Sequence, residues 1–366
     1  MKPVLFVTGH APAYRVGALA RLHEREGIEV ALFGGRSKHG GADYAGELPF
    51  PHRHVRPREL EGLAASGRHR AIVCPTGGRL ALLGAWAGAR HGRAPLILWA
   101  SLWAHPRSAA HALSYLPMRR LYRSADAVVT YGPHVSAYVA ARGARNVHIA
   151  PQSVDNAFWG AAEITPPSEP GWPASAGVRF LFVGRAAREK GAEVLAAAWR
   201  AAGLRPPAAA LVLVGVGTAP DFAGADADSL AREGVACLDA VAPVELRDLY
   251  AASHVLVVPS IPTSTFREPW GLVVNEAMNR GLAVIATDAV GAASGGLVRD
   301  GETGLVVAAG EPSALAEAIA RLGADAPLRE QMGAAGAVRV RAFSHDAWAE
   351  GFSQALATLG LSRGHW

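Results

Sequence analysis

Cysteine, lysine and long apolar runs are all scarce in this chain of 366 residues. The two cysteines, Cys74 and Cys237, lie in apolar strand-like runs and have no partner at metal-ligand spacing, which predicts buried, reduced thiols in a cytosolic protein. No apolar run approaches the roughly 20 residues that span a bilayer. The opening segment MKPVLFVTG has too short an apolar part for a signal peptide and predicts a first β-strand instead.

The composition favours a globular protein of two domains with a basic first half. Half of the residues are hydrophobic and 18% are charged, which leaves enough apolar material for two cores. Residues 1–160 contain 20 Lys and Arg against 9 Asp and Glu, whereas residues 161–366 contain 16 against 22. A basic half favours anionic partners, although an ordinary solvated surface explains it as well. Nucleic acid is disfavoured, because no aromatic-interleaved basic patch or recognition-helix motif accompanies the charge.

Short apolar runs alternate with amphipathic stretches along the chain, which is typical of parallel α/β sheets. The predicted strands are Val4–Thr8, Ile28–Phe33, Ala71–Pro75, Pro95–Ser101, Ala127–Tyr131, Val147–Ala150, Val178–Val183, Ala210–Gly215, Val235–Leu238, His254–Pro259 and Ala283–Thr287. The predicted helices include Val16–Glu26, Arg79–Arg90, Ala192–Ala202, Val244–Ala252, Leu272–Arg280, Ser313–Leu322 and Ser344–Leu359. The fold class that follows is α/β, with two doubly wound Rossmann-like domains in series and a ligand cleft between them.

The domain boundary is predicted from a break in this alternation. Around residues 161–177 Pro, Gly and Ser replace the regular pattern, which indicates an interdomain linker or a surface excursion. The predicted domains are therefore residues 1–160 and 161–343. Residues 344–366 are predicted to form a helix that packs back on the first domain.

The segment Phe180–Gly191 predicts a strand, a glycine turn and then a helix, with Arg185 and Lys190 at the junction. A diphosphate needs cationic partners at the edge of a sheet, and such a junction supplies that position. The chain has only three lysines, so a lysine here indicates that a compact ammonium is wanted. Taken alone, the two cations are better explained by a solvated loop, and the phosphate interpretation depends on the second motif.

A second motif follows the strand predicted at His254–Pro259. Glu268 precedes Pro269 in a loop, and Glu276 lies seven residues further on inside a predicted helix. Pro269 and Gly271 suit a helix entrance, so the amides of the Trp270–Val273 turn are expected to face an anion. Two carboxylates beside an anion site suit hydroxyl groups, and a nucleotide sugar offers ribose and hexose hydroxyls on either side of its diphosphate.

These residues resemble the GT4 family of retaining glycosyltransferases, which have the GT-B fold of two facing Rossmann-like domains. The resemblance rests on VGR-x4-KG at Val183–Gly191, on E-x7-E at Glu268–Glu276 and on the stretch Ala283–Val307, and Leu246–Ser260 also fits. It covers Val178 to about Gly336 and is specific as an ensemble. It implies that the first domain binds the acceptor and the second binds the donor.

The resemblance also implies a role for each matched residue. Arg185 and Lys190 would neutralise the donor diphosphate, Glu276 would hold the ribose hydroxyls, and Glu268 would bind the transferred sugar. The Trp270–Val273 amides (Trp270, Gly271, Leu272, Val273) would contact phosphate and sugar. The resemblance also implies that no metal is needed, because the cations and the helix amides do that work. No cofactor is expected, because the nucleotide sugar is itself a co-substrate. Val216 and Asp239 depart from the family pattern where the base would lie, so the resemblance leaves the base open.

The first half contains fewer recognisable motifs. His105 follows the strand PLILWAS, and related sequences often carry a histidine there that contacts the donor sugar, so His105 is a catalytic candidate beside the alternative of a packed structural loop. His10 is a further loop histidine without an assigned role. The stretch His111–Pro133 combines apolar residues with Arg119, Arg120 and Arg123. It fits an anionic membrane surface, a pocket for a phosphorylated acceptor or a plain surface. Pro117 is expected to interrupt its helix, which weakens the membrane interpretation and favours the plain surface.

The function predicted from these features is transfer of a hexose-type sugar from a nucleoside diphosphate sugar, with UDP favoured and GDP as the alternative, to a hydroxyl acceptor. Retention and a front-face mechanism without a metal are inferred from the resemblance. A glycan, a lipid-linked sugar or a small molecule all fit as acceptor.

The predicted location is the cytoplasm, with peripheral contact at the inner face of an anionic membrane as an option. The competing hypotheses are a non-catalytic sugar-nucleotide-binding protein and a nucleotide-sugar epimerase; a dehydrogenase is disfavoured because no G-x-G-x-x-G follows the first strand.

Overall fold

The computed structural model describes residues 1–34, 46–169, 171–216 and 227–364. The chain divides into two compact units, the first formed by Met1–Asp155 with Phe343–Trp366 and the second by Asn156–Ala342. The division falls five residues before the predicted boundary, so the stretch 161–177 lies inside the second unit. Within the described part of the chain, no helix is both long and apolar enough to cross a membrane.

Both units are built on parallel strands, as the alternating pattern predicts. The strands are β1 (Val4–Thr8), β2 (Ile28–Leu32), β3 (His52–His54), β4 (Ala71–Pro75), β5 (Leu96–Ala100), β6 (Ala127–Thr130), β7 (Val147–Ile149), β8 (Val178–Val183), β9 (Ala209–Val214), β10 (Val235–Leu238), β11 (Val255–Val258), β12 (Ala283–Thr287) and β13 (Gly304–Val307). The first sheet has the order β3-β2-β1-β4-β5-β6-β7 and the second the order β10-β9-β8-β11-β12-β13. These two doubly wound sheets confirm the predicted α/β class.

Helices connect the strands and cover both faces of each sheet. They are α1 (Ala13–Glu26), α2 (Leu60–Ala65), α3 (Arg79–His91), α4 (Ala109–Ser124), α5 (Pro133–Ala140), α6 (Asn156–Trp159), α7 (Ala192–Ala202), α8 (Ala227–Arg232), α9 (Pro243–Ala251), α10 (Val273–Met278), α11 (Gly291–Ser294), α12 (Pro312–Ala324), α13 (Ala326–Val340) and α14 (His345–Thr358). The prediction of an interruption at Pro117 was wrong, because α4 runs through this residue. Pro117 has no amide hydrogen, so the carbonyl of Leu113 loses its helical donor. Pro117 is exposed, so a water molecule can supply the missing hydrogen bond to that carbonyl.

The C-terminal helix α14 belongs to the core of the first unit. Its Trp348 and Phe352 are fully buried, and the rings of Phe352 and Phe6 lie 5.5 Å apart. The residues after α14 pack beside a buried ion pair of the same unit, in which Arg70 Nη2 lies 2.8 Å from Glu26 Oε2. Arg70 Nε also donates to the carbonyl of Leu361 at 2.8 Å, so the residues after α14 are tied to α1 and β4.

The two cysteines differ in their surroundings. Cys74 lies in the central strand β4, where burial raises the pKa of its thiol well above the usual value. Cys237 is exposed, so the prediction that it is buried was wrong. The physical reason is that β10 is an edge strand of the second sheet, where one side chain in two can face solvent.

Candidate functional site

The predicted donor residues lie on two loops at one edge of the second sheet. Strands β8 and β11 are neighbours and parallel, with Val255 opposite Phe180. Their carboxyl ends therefore meet at the same edge, where ligands bind in doubly wound sheets. The loop after β8 carries Arg185 and Lys190, and the loop after β11 carries Glu268.

Lys190 and Glu268 form an ion pair across these two loops. The ammonium nitrogen Nζ of Lys190 lies 2.5 Å from Oε2 of Glu268. The Lys190 side chain keeps 24% of its exposure and the Glu268 side chain 9%, so the carboxylate faces the protein interior and the ammonium reaches the surface. The fold thus brings together a cation and a carboxylate that are 78 residues apart in the sequence.

The loop that carries Lys190 is held against the loop after β11. The amide of Ile261 donates to the carbonyl of Glu189 at 3.0 Å. Gly191 has a φ of 71°, and a Cβ atom there would lie 2.0 Å from the carbonyl oxygen of Pro259. Only glycine fits this position, because the backbones touch and the conformation is left-handed. The glycine of the predicted K-G dipeptide therefore fixes the position of Lys190.

Arg185 is placed beside the same turn but is held loosely. Its guanidinium Nη2 lies 3.3 Å from Glu189 Oε1, and about half of its side chain is exposed. Such a surface pair contributes little to stability, so Arg185 can change partner at a small free-energy cost. Gly184 precedes it, and a Cβ there would lie 3.8 Å from Cδ of Lys190. The surface beside both cations is therefore free of a side chain at position 184.

The turn from Trp270 to Val273 follows Glu268 directly. The Trp270 side chain is buried, and its indole nitrogen donates to Asn275 Oδ1 at 2.7 Å. Gly271 has a φ of 90°, and a Cβ there would lie 3.9 Å from Cγ of Glu268. The predicted role of the Trp270–Val273 turn therefore concerns its backbone, since the Trp270 indole is used to fix the turn.

The helix after this turn is shorter than the sequence predicts. Helix α10 ends at Met278, whereas the predicted helix continues to Arg280. The amide of Arg280 bonds to the carbonyl of Ala277 three residues back, and Gly281 follows with a φ of 72°. The tightened last turn and the left-handed glycine end the helix.

Glu268 and Trp270 are positioned by a glycine-rich segment that follows β12. The backbone of Glu268 pairs with that of Val290, and the amide of Gly291 donates to the Glu268 carbonyl at 3.1 Å. A Cβ on Gly291 would lie 1.9 Å from the carbonyl oxygen of Pro269, so glycine is required there. The resemblance covers this segment but does not predict its role in positioning Glu268. The signal for that role is Gly291 in the TDAVGAASGG run.

Glu276 lies in α10 and has a buried partner that the sequence analysis missed. The hydroxyl of Tyr250, in α9, donates to Glu276 Oε2 at 2.8 Å. Burial of the Glu276 carboxyl raises its pKa to about 7, and the Tyr250 hydrogen bond opposes this rise. Tyr250 belongs to the LRDLYAASHV stretch, which offers no signal for this contact beyond a tyrosine in an apolar helix face.

His105 belongs to the first unit and is engaged through both ring nitrogens. Nε2 lies 3.0 Å from the carbonyl oxygen of His111, and Nδ1 lies 3.3 Å from the hydroxyl oxygen of Tyr138. A tautomer that donates from Nε2 and accepts at Nδ1 satisfies both contacts. His105 thus ties the first turn of α4 to α5. His10 lies after β1, where its carbonyl accepts from the Thr8 hydroxyl at 3.3 Å.

The predicted site residues therefore fall into two sets. Lys190, Glu268 and Gly271 are brought together in the second unit, Arg185 lies on the same turn as Lys190, and Glu276 follows in the adjoining helix. His105 lies in the first unit. Over the ranges that the structure describes, no group of three or more His, Cys, Asp or Glu residues could hold a metal ion.

Sequence comparison identifies a family match in the second half of the chain and related proteins that match about half of its length. Residues 177–325 match the family described as glycosyl transferases group 1. The α-maltose-1-phosphate synthase of Mycolicibacterium smegmatis is 33% identical over 228 residues, which are 57% of this chain and 55% of that protein. The D-inositol 3-phosphate glycosyltransferase of Corynebacterium diphtheriae is 37% identical over 182 residues, 47% of this chain and 40% of that protein. The chain spans about half the length, or less, of these curated relatives.

Structural comparison supports the fold over the whole chain. The crystal structure of HepE from Anabaena in complex with UDP and glucose matches with a TM-score of 0.72. The match covers 98% of this chain and 100% of that one at 18% sequence identity. The likeness confirms the predicted fold class, and the family match confirms the resemblance stated from the motifs.

Proposed function

Residues 177–325 match the family of group 1 glycosyl transferases, and on that basis we propose that the chain is a retaining glycosyltransferase. It moves a hexose-type sugar from a nucleoside diphosphate sugar to a hydroxyl acceptor. The observation that carries this proposal is the contact between Lys190 and Glu268. A diphosphate oxygen and a neighbouring sugar hydroxyl need a cation and a carboxylate side by side, and the two loops supply both at one sheet edge.

The donor contacts follow from this arrangement. Lys190 exchanges part of its interaction with Glu268 for a phosphate oxygen, and Arg185 leaves its weak pair with Glu189 to bind the same diphosphate. Glu268 then accepts hydrogen bonds from the transferred sugar. The amides of the Trp270–Val273 turn, which leads into the first turn of α10, contact phosphate and sugar.

Glu276 binds the ribose hydroxyls in this proposal. Its ionised carboxylate accepts two hydroxyl hydrogens, while Tyr250 keeps one carboxylate oxygen oriented. UDP is the favoured nucleotide, and the structural similarity to a protein solved with UDP and glucose supports it. GDP is the alternative.

The proposed chemistry is a front-face displacement without a metal. The bond between the anomeric carbon and the phosphate oxygen breaks, and the acceptor oxygen bonds to that carbon from the same side. The departing phosphate oxygen takes the proton of the acceptor hydroxyl. Arg185 and Lys190 stabilise the charge that develops on the diphosphate. His105 remains a candidate contact for the sugar, and it would have to release one of its two hydrogen bonds to serve.

Two features bear on the acceptor and on the location. The names of two relatives include inositol 3-phosphate and maltose 1-phosphate, which makes phosphorylated sugars and polyols the first acceptors to test, before glycans and lipid-linked sugars. The excess of basic residues in the first half supports peripheral contact with an anionic membrane at the cytoplasmic face.

The test combines nucleotide binding with turnover. Thermal stabilisation by UDP, GDP, ADP and TDP should identify the base, since a ligand of the native state raises its stability. With the preferred donor, Lys190→Ala and Glu268→Ala should each reduce transfer by at least about a hundredfold, because each removes a group that acts on the donor. Lys2→Ala and Glu317→Ala, at exposed positions, are the matched controls.

Three outcomes would contradict the proposal. Wild-type transfer in the Lys190 or Glu268 variants would remove those roles. Isomerised sugar formed from donor without acceptor would favour an epimerase. Tight nucleotide binding without turnover, across phosphorylated and neutral acceptors, would favour a binding protein.

A further inference from the structure

One long part of the first unit contains no acidic residue. Between Glu61 and Asp126 the sequence has nine arginines and not a single Asp or Glu. This stretch includes the whole of α3 and α4. Its positive charge is therefore not neutralised by acidic neighbours in the same stretch, which is unusual for a plain solvated surface, where both signs are normally interspersed.

Helices α3 and α4 pack on the same face of the first sheet. Ala85 of α3 and Leu121 and Tyr122 of α4 belong to one buried cluster. The two helices are also joined directly, because the indole nitrogen of Trp86 lies 3.2 Å from the hydroxyl oxygen of Ser124. Their outer faces therefore point away from the same side of the sheet.

The outer face of α4 combines leucine and arginine in one stripe. Leu113 and Leu116 are 82% and 69% exposed. Arg120 and Arg123, also exposed, continue the stripe at helical spacing toward the C-terminal end of α4. Because the helix passes through Pro117 without a break, the stripe is continuous.

The outer face of α3 repeats this order. Leu80 and Leu83 are 73% and 49% exposed. Arg90, also exposed, lies about two turns beyond Leu83 on the same face. In both helices the exposed leucines lie in the N-terminal half, and Arg90, Arg120 and Arg123 lie in the C-terminal half. Arg79, which begins α3, adds a further exposed arginine. Several leucines exposed side by side on a soluble unit indicate a surface that is covered when the protein functions.

We propose that this α3–α4 surface, formed by Leu80, Leu83, Leu113, Leu116, Arg120 and Arg123, docks on an anionic lipid bilayer. The leucines enter the boundary between headgroups and acyl chains, and the arginines bind lipid phosphates. Charge complementarity selects this occupant, because a neutral or basic partner would leave the arginines without counter-charges. The inference deepens the membrane contact proposed above and is independent of the transferase chemistry.

Vesicle sedimentation of the full-length protein tests the surface. Phosphatidylcholine vesicles are compared with vesicles of equal parts phosphatidylcholine and phosphatidylglycerol. The wild type should bind the anionic vesicles and be partly released by salt. The double variant L113S/L116S should bind at least about tenfold more weakly, because it removes the inserted apolar groups. The double variant R120Q/R123Q should lose about tenfold in affinity for the anionic vesicles alone.

Matched controls come from exposed positions of the second unit. Val338→Ser removes an apolar group that is 66% exposed on α13, and Arg341→Gln removes an exposed arginine. Both should bind vesicles like the wild type. Donor hydrolysis in solution, measured on every variant, should be unchanged and reports on the proposed chemistry separately.

The outcomes separate the proposals. A wild type that binds neither vesicle overturns membrane docking, and so does a dimer that L113S/L116S dissociates, since the surface then serves self-association. Equal loss of vesicle binding in V338S and L113S/L116S overturns the assignment to α3 and α4. Vesicle binding without any donor hydrolysis or transfer contradicts the transferase and leaves the docking surface standing.

Discussion

Tyr250 donates its hydroxyl hydrogen to the carboxylate of Glu276 at 2.8 Å, and this bond opposes the effect of burial on the same carboxyl group. Burial raises the pKa of Glu276 from 4.5 to about 7, and without the Tyr250 bond the rise would be larger. The residue proposed to bind ribose therefore changes its charge near neutral pH.

The first prediction concerns the pH dependence of nucleotide binding. Ribose hydroxyls donate to a carboxylate more strongly than to a carboxylic acid, so the affinity for UDP should rise as the pH increases through about 7. Tyr250→Phe removes a bond that lowers the pKa of Glu276, so the midpoint should move upward. Calorimetric titrations between pH 5.5 and 8.5, at roughly half-unit steps, measure both. A pH-independent affinity in the wild type would exclude Glu276 as the ribose ligand.

The second prediction concerns stability without ligand. Since the folded-state pKa of Glu276 is raised, the folded protein holds a proton that the unfolded chain has released between pH 4.5 and about 7. This group stabilises the folded state fully below pH 4.5, and the stabilisation is lost as the pH rises through about 7. The free energy of unfolding should fall by up to about 3 kcal/mol over this range. Glu276→Gln should lack this loss, and Glu317→Gln, at an exposed position, is the control. Urea unfolding at several pH values measures the difference, and parallel curves for wild type and Glu276→Gln would contradict it.

The third prediction concerns the Lys190–Glu268 pair. Lys190→Met keeps the length of the side chain but leaves the largely buried Glu268 carboxylate without its cation, so the free energy of unfolding should fall by about 1–2 kcal/mol. Combining it with Glu268→Gln should recover about 1 kcal/mol, because the carboxylate charge that has lost Lys190 is removed. Denaturant unfolding of the two single variants and the double variant gives this coupling. Strictly additive effects would show that the two residues do not interact in solution.

The fourth prediction uses two glycines with similar backbone angles. Gly191 and Gly203 have φ values of 71° and 69°, but only Gly191 has a backbone atom where a Cβ would lie, namely the carbonyl oxygen of Pro259. Gly191→Ala should therefore displace the Lys190 turn and weaken UDP binding at least about tenfold. Gly203→Ala introduces only the strain of a left-handed backbone, which should lower the free energy of unfolding by about 1 kcal/mol. This variant should bind UDP normally, because a Cβ at position 203 meets no neighbouring atom. Equal effects of the two substitutions on UDP binding would remove the clamping role of Gly191.

The fifth prediction separates a structural from a catalytic role of His105. Tyr138→Phe removes the partner of Nδ1 and leaves the histidine in place, whereas His105→Phe removes both hydrogen bonds. Each should lower stability by about 1 kcal/mol per lost bond. If His105 contacts the sugar, only His105→Phe should reduce kcat by more than about tenfold. Equal kcat values in both variants would leave His105 as a residue that positions α4.

The sequence by itself determined the local elements and the chemical types at the site. Alternating apolar and amphipathic stretches predicted most strands within one residue, because periodicity is a local property. It missed β3, whose His52–His54 carries no apolar alternation, and β13, which lies in the turn-rich Gly304–Val307 region. Arg185, Lys190, Glu268 and Glu276 were identified from residue type and spacing, since a diphosphate and its hydroxyl neighbours need those groups.

The tertiary structure decided which of these residues meet and in what state. The pairing of Lys190 with Glu268 depends on β8 and β11 being neighbours. The raised pKa of Glu276 depends on burial of its carboxyl, and the Tyr250 hydrogen bond limits the rise. The exposure of Cys237 follows from the edge position of β10, and the unbroken path of α4 through Pro117 follows from its position on the surface. None of these can be read from a local pattern, because each depends on residues distant in the sequence and on whether water reaches the group.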